Sequence, residues 1–260
     1  MRDLKFTEHL HEYAQWREQL IQAIEMYQEW RSRYKLSDPH SMDTILNIVS
    51  GLQSDRITLA FAAEFSRGKT ELINALFFAE TGVRLLPSSP GRTTMCPTEL
   101  FHDEEGGSYI RLLNIESRLE DISLMEYKQK PERWTQIDLD CNSPTQMQEA
   151  FKELVASKNV DKDTADKLGL WNEREAAEQG IVDLENVEIP CWRHALISFP
   201  HPLLKEGLCI LDTPGLNALG TEPELTLSML PSAQAIIFVL AADTGVTKSD
   251  LEMWKNHVCS

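Results

Sequence analysis

Ala63-Glu64-Phe65-Ser66-Arg67-Gly68-Lys69-Thr70 follows the apolar run Ile57–Ala62 and precedes Glu71-Leu72-Ile73-Asn74-Ala75-Leu76. The run is short, continuous and apolar, as in a strand buried on both faces, and the segment after the loop, about Lys69 to Phe78, reads as a helix. A loop between such a strand and helix can turn successive backbone N–H groups inward, and the helix N-terminus adds its partial positive charge, so the segment is suited to bind phosphate. Lys69 would place a point charge at the β and γ phosphates and the Thr70 hydroxyl would ligate Mg2+. Gly68 lets the backbone approach a ligand without a side chain in the way. Glu64, Phe65, Ser66 and Arg67 complete the cradle. Ala63 stands where the pattern G-x-x-x-x-G-K-[ST] has its first glycine, and its Cβ is costly only if that position needs a positive φ.

Two further segments fit a nucleoside triphosphate. Asp212-Thr213-Pro214-Gly215 closes the apolar strand Gly207–Leu211. A carboxylate at a strand end can hold a Mg2+-bound water, and the Gly215 N–H can turn toward a γ-phosphate. Thr213 occupies the place where many ATPases carry a catalytic glutamate. Gly91-Arg92-Thr93-Thr94-Met95-Cys96-Pro97-Thr98 lies in the Pro/Ser/Gly-rich loop that follows the first helix. A threonine there, Thr94 before Thr93, can offer its hydroxyl to Mg2+ and its carbonyl to the attacking water.

Around these motifs, strand-like segments recur near Thr98–Phe101, Tyr109–Ile115, Val187–Phe199 and Ala235–Leu240. Strands alternating with helices predict an α/β layer fold, a mostly parallel sheet covered by helices. From Leu10 to Tyr34 apolar residues return every three or four positions, which describes one helix with an aromatic stripe, and a second helix is expected over about Met42–Leu52. The expected division is a helical segment over residues 1–54 and a nucleotide-binding domain over 55–260. The latter carries a polar, helical insertion at about 116–185. Inside it Ser143-Pro144-Thr145-Gln146 supplies an N-cap, a first-turn proline and a capping-box glutamine.

The chain has 260 residues, 42% of them hydrophobic, enough for one sizeable core. Its 25 Lys and Arg against 41 Asp and Glu give a net charge of -16, which opposes binding to nucleic acid. The N-terminus lacks the apolar stretch of a secretory signal, and five scattered cysteines without a C-x-x-C pair read as reduced thiols, so the expected location is the cytoplasm. His194 and His201 are more simply structural than catalytic, as are Trp171 and Trp192.

Thr247-Lys248-Ser249-Asp250 matches the [NT]-K-x-D pattern that reads guanine, but it comes too soon after the strand Ala235–Leu240 for a parallel crossover. Thr247 as N-cap, Asp250 at N3 and Val246 against Leu251 describe a helix start instead. On that reading the chain stops before the base-reading motif, as a fragment of a larger domain.

The loop Glu64–Thr70, the segment Arg92-Thr93-Thr94 with Pro97-Thr98, and Asp212-Thr213-Pro214-Gly215-Leu216-Asn217 together resemble the first three nucleotide motifs of bacterial dynamin-like large GTPases. The resemblance covers about Ile57–Cys259 apart from the insertion and implies a Ras-like P-loop NTPase fold, with Leu10–Tyr34 similar to the N-terminal bundle helix of that family. It implies GTP as substrate and Mg2+ as cofactor. Ser66, Lys69, Thr94 and Gly215 would be the catalytic contacts, and Thr70, Thr94 and Asp212 the metal side. It further implies self-association through the G domain, with membrane remodelling at the inner face of a membrane carried by regions outside this chain. Two alternatives stay open on the residues alone: a nucleotide-binding module without useful hydrolysis, and an ATP-using P-loop enzyme.

Overall fold

The computed structural model describes residues 2–34, 36, 45, 49, 52, 56–63, 67–87, 96–171, 186–213, 233–242 and 245–255. The chain forms two compact units, Met1–Arg56 and Ile57–Ser260. In the first, helix α1 (Arg2–Arg33) begins earlier than the apolar stripe suggested. Its stripe stacks on itself, Tyr27 on Trp30 at 6.0 Å between ring centroids and Trp30 on Tyr34 at 5.4 Å. The expected helix Met42–Leu52 lies outside the described residues except at Ile45, Val49 and Leu52, which are helical.

The second unit is built on a seven-stranded sheet in the order β4-β3-β7-β2-β8-β1-β9. Its strands are β1 (Ile57–Ala62), β2 (Thr98–Phe101), β3 (Tyr109–Asn114), β4 (Trp134–Asp138), β7 (Trp192–Ser198), β8 (Leu208–Asp212) and β9 (Ala235–Phe238). β1 lies between β8 and β9, parallel to both, and β2 is parallel to β7. Antiparallel pairings join β2 to β8, β3 to β7 and β3 to β4. A separate ribbon pairs β5 (Ser157–Asp161) with β6 (Asn186–Pro190).

Alternating side chains sort the core onto two faces. On one, Phe61, Leu100, Ile110, Leu112, Ile197 and Ile210 pack with Ile73 and Phe77 of α2 (Lys69–Phe77) and with Met147, Ala150 and Phe151 of α4 (Pro144–Lys152). On the other, Phe101, Tyr109, Leu113 and Leu196 pack with Trp134 and with Tyr127 of α3 (Leu124–Lys128).

The segment expected to be a helical insertion is thus part of the body of the fold. Its α4 covers one face, its α3 the other, and its β4 forms one end strand of the sheet. β4, Trp-Thr-Gln-Ile-Asp, buries Trp134 and leaves most of its other side chains exposed, so it lacks the continuous apolar run of a central strand. β5 is more polar still. Residues 172–185 of this segment lie outside the described residues. The single strand expected over Val187–Phe199 divides at Cys191 into β6 and β7, which belong to different sheets. The Ser143 cap forms, accepting from the Gln146 N–H. Gln146 does not return the bond to Ser143, because its side chain instead accepts from Asp140 N at 3.0 Å and donates to Asp138 O at 2.9 Å.

Candidate functional site

β1 is buried along its second half, and Ala60, Phe61, Ala62 and Ala63 are all at most 2% exposed. The methyl of Ala63, in the first-glycine position, is therefore accommodated within the core. At the other end of the loop Gly68 has φ 82° and ψ 11°, the left-handed conformation that L side chains disfavour, and it caps α2 without a side-chain bond. The N-terminal amides of α2 are thus presented at the C-terminal edge of the parallel strands β8, β1 and β9, the edge at which open α/β sheets bind ligands. Thr70 lies in the first turn of this helix, half-buried.

Parallel register sets Phe61 beside Asp212, so the end of β8 lies against the root of the loop. Lys69 Nζ is 2.5 Å from Asp212 Oδ1, with the two side chains 11% and 4% exposed. Apart from the Lys69 ammonium at Oδ1, neither Asp212 oxygen has a partner among the described residues. A buried carboxylate with open lone pairs next to a lysine and a helix N-terminus suits a hard, oxygen-preferring cation shared with phosphate, so the residues present fit Mg2+. Next along, the Thr213 hydroxyl donates to Phe61 O at 3.0 Å, fully buried, and ties the start of the Asp-Thr-Pro-Gly segment to β1. Cys96 is also buried, and burial, more than the nearby Asp212 charge, pushes its thiol up to about 12. It remains protonated and unreactive at neutral pH.

Arg67 and Asp250 extend the site. Thr247 caps α7 (Lys248–Met253) in a complete capping box, its Oγ1 accepting from Asp250 N at 3.1 Å while Asp250 Oδ2 accepts from Thr247 N at 2.9 Å. The segment that matches the guanine-reading pattern is therefore a helix start. The expected staple does not form tightly, since Val246 and Leu251 remain 57% and 48% exposed. Trp254 instead packs edge-on against Phe238 of β9 at 5.7 Å. Asp250 itself is 1% exposed, and Arg67 Nη2 stands 3.9 Å from its Oδ2. Burial would raise the Asp250 pKa, but the two Thr247 bonds and the Arg67 charge outweigh it and hold the carboxyl below its ordinary value.

Of the residues singled out from sequence, the structure brings Lys69 and Asp212 together, with Arg67, Gly68 and Thr70 in the same loop and helix start. Glu64, Phe65, Ser66, Thr93, Thr94 and Gly215 lie outside the described residues. Three contributors were missed. Asn74, buried in α2, donates to Leu86 O and accepts from Leu86 N, both at 2.9 Å, and so anchors the chain just before the threonine-bearing loop. Thr213 and Asp250 are the other two. Each of the three reaches a partner, Leu86, Phe61 or Arg67, that no local pattern identifies, although Asp250 also forms the expected cap with Thr247.

His194 is not at this site. It is fully buried on the sheet face opposite Asp212, with Nε2 3.1 Å from Glu99 Oε1, and Lys128 Nζ reaches the same oxygen at 2.6 Å. Burial lowers the His194 pKa against the pull of Glu99, so the ring is neutral and donates from Nε2. His201 caps α6 (Pro202–Lys205) and meets Phe77 edge-on. Trp192 donates to Glu153 O at 2.8 Å, and Lys162 lies over the Trp171 ring.

A helix that starts at the C-terminal edge of parallel strands, with a carboxylate one strand over, is the arrangement of a P-loop NTPase fold, and the second unit has it. Residues 59–259 match the model of the Dynamin family. The chain belongs to the dynamin family, whose nucleotide-binding domain is of GTPase type. It is 25% identical over 225 residues to the bacterial dynamin-like protein of Nostoc punctiforme, covering 86% of this chain and 26% of that protein. It is 43% identical over 60 residues to the isoniazid-induced protein IniA of Mycobacterium tuberculosis, covering 22% of this chain and 9% of that one. The chain thus spans about a quarter of the length of the first of these relatives. A solved structure described as an oligomerised bacterial dynamin pair aligns with a TM-score of 0.44 at 13% identity, over 94% of this chain and 36% of that one. Among the described residues no helix is long and apolar enough to cross a membrane.

Proposed function

We propose that the intact protein binds GTP with Mg2+ and hydrolyses it, and that hydrolysis is coupled to self-association of G domains and to work on a membrane. The observation that carries the reading is the Lys69–Asp212 pair, 2.5 Å apart at the C-terminal edge of β8 and β1, in a chain matched by the dynamin family over residues 59–259. The α2 amides and Lys69 would hold the phosphates, and Thr70, Asp212 and Thr94 would hold the metal. Bound Mg2+ would supply charge stabilisation at the transferring phosphoryl group. Ser66 and Gly215 would contact the phosphates, Thr94 and Gly215 would orient water, and the buried Thr213 bond would keep the Asp212 end of β8 fixed against β1.

Family membership is what supports self-association and membrane work. Phosphate release per subunit, measured on the intact protein from nanomolar to micromolar concentration, is expected to rise with concentration as G domains pair. A per-subunit rate that stays flat would remove the pairing from the account. Added liposomes should raise the rate further, and no response to lipid would remove the membrane step.

A further inference from the structure

We propose that Asp250 is a positioning residue for the phosphate-binding loop, acting through Arg67; the role rests on the nucleotide reading given above. A capping-box carboxylate ordinarily ends a helix in solvent and needs no third partner. Asp250 is different, because its side chain is 1% exposed. Both Thr247 bonds fall on Oδ2, from the N–H at 2.9 Å and the hydroxyl at 2.8 Å. Arg67 Nη2 faces that same oxygen at 3.9 Å, with its own side chain 12% exposed. Arg67 is the cation that faces this buried carboxylate, whose charge the two Thr247 bonds also support.

Arg67 immediately precedes Gly68, whose left-handed φ opens α2. A tether on the Arg67 side chain therefore acts on the stretch of backbone that presents N–H groups to phosphate, where small displacements weaken binding. The chain on the Asp250 side is tied to the same place by backbone, since Val239 N donates to Ala62 O at 2.9 Å as β9 ends. The root of the loop is thus bonded to the end of β9, and Arg67 in its last turn faces the start of α7. The resemblance of Thr247–Asp250 to a base-reading motif has its physical explanation here, as a cap whose carboxylate supports the loop.

The test is a double-mutant cycle in the intact protein, reading the Kd of mant-GDP with Mg2+ by fluorescence. Asp250→Asn keeps an oxygen for the Thr247 N–H but loses the charge, and Arg67→Gln removes the other partner. Each single variant is expected to weaken binding about tenfold, and the double variant no more than either, as for two residues acting as one unit. Thr247→Ala, which weakens the cap and leaves the ion pair, should lower the melting temperature without that loss of affinity. Additive losses, an unchanged Kd in Asp250→Asn, or an equal loss in Thr247→Ala would each overturn the positioning role. Wild-type protein that binds no mant-GDP would overturn the guanine reading itself, and the role with it, and the wild-type titration tells that failure from the others.

Discussion

Lys69 and Asp212 form a close ion pair with both side chains largely buried. Removing one partner of such a buried pair leaves an uncompensated charge, so Lys69→Ala should destabilise the second unit by about 3 kcal/mol. Lys69→Ala with Asp212→Asn should recover most of that loss, while nucleotide affinity stays low in both. Urea denaturation of the two variants checks this, and equal stability of the single and double variants would count against the pairing. Thr213 makes a separate prediction. Thr213→Val keeps the shape but removes the buried donor to Phe61 O, at a cost of about 1–2 kcal/mol in urea denaturation, whereas Thr213→Ser should restore it. If Thr213→Val melts like wild type, the link between β8 and β1 is not where the stability lies. Lys69, Gly68 and Asp212 were legible in the sequence because their chemistry is local: a strand, a turn and a charged residue at its end. Arg67 with Asp250, Asn74 with Leu86 and Thr213 with Phe61 were not, since each pair joins distant segments and neither partner is unusual in its own neighbourhood.

Among the elements, β2 and β7 carry a buried charge cluster on the face away from the loop. Burial acts to raise the Glu99 pKa, but the hydrogen bond from His194 and the charge of Lys128 more than offset it and lower it from the ordinary 4.5 to about 2. A carboxylate depressed by folding contributes stability that is present above about 4.5 and lost as the pH falls from 4.5 through 2. His194 acts in the same direction earlier. Its folded pKa lies below the ordinary 6.5, so as the pH falls below 6.5 the unfolded chain takes up a proton that the buried ring does not, and stability falls. Stability should therefore decline in two stages on acidification, and Glu99→Gln should flatten the stage below 4.5 in a series of urea melts. An unchanged slope in that variant would show that the cluster does not govern acid stability. The elements themselves were legible where they are apolar. β1 and β8 fall within a residue of their expected positions because a central strand covered on both faces is apolar along most of its length; β2 and β3 do so too, although they carry Glu99 and Arg111. β4 and β5 escaped notice for the converse reason: each is a polar strand at the end of its sheet, and their neighbours α3 and α4 made the whole segment look helical. The bend at Cys191, where one apparent strand becomes two in different sheets, leaves no mark in an apolar pattern.

For the whole molecule, a net charge of -16 works against a polyanion partner. The second unit instead gathers its functional groups at one sheet edge. Asn74 anchors the entry to the threonine-bearing loop, Thr213 fixes the exit from β8, and Asp250 faces Arg67 from α7, so three separate elements converge on the proposed phosphate site. Asn74→Ala should therefore cost more than an exposed substitution, about 2 kcal/mol for two lost buried bonds, and should also weaken nucleotide binding through the loop it anchors; urea denaturation and a nucleotide titration read the two effects. Binding of a guanine nucleotide at this edge is the proposal on which the rest depends. It is tested most directly by titrating mant-GTP with Mg2+ into the intact protein and its Lys69→Ala variant, with ATP as competitor. Saturable binding that excess ATP does not displace is expected, with a loss of affinity of about 100-fold or more in Lys69→Ala, the scale expected for a lost charged contact to phosphate. Equal affinity in the two proteins, or displacement by ATP as readily as by unlabelled GTP, would contradict it.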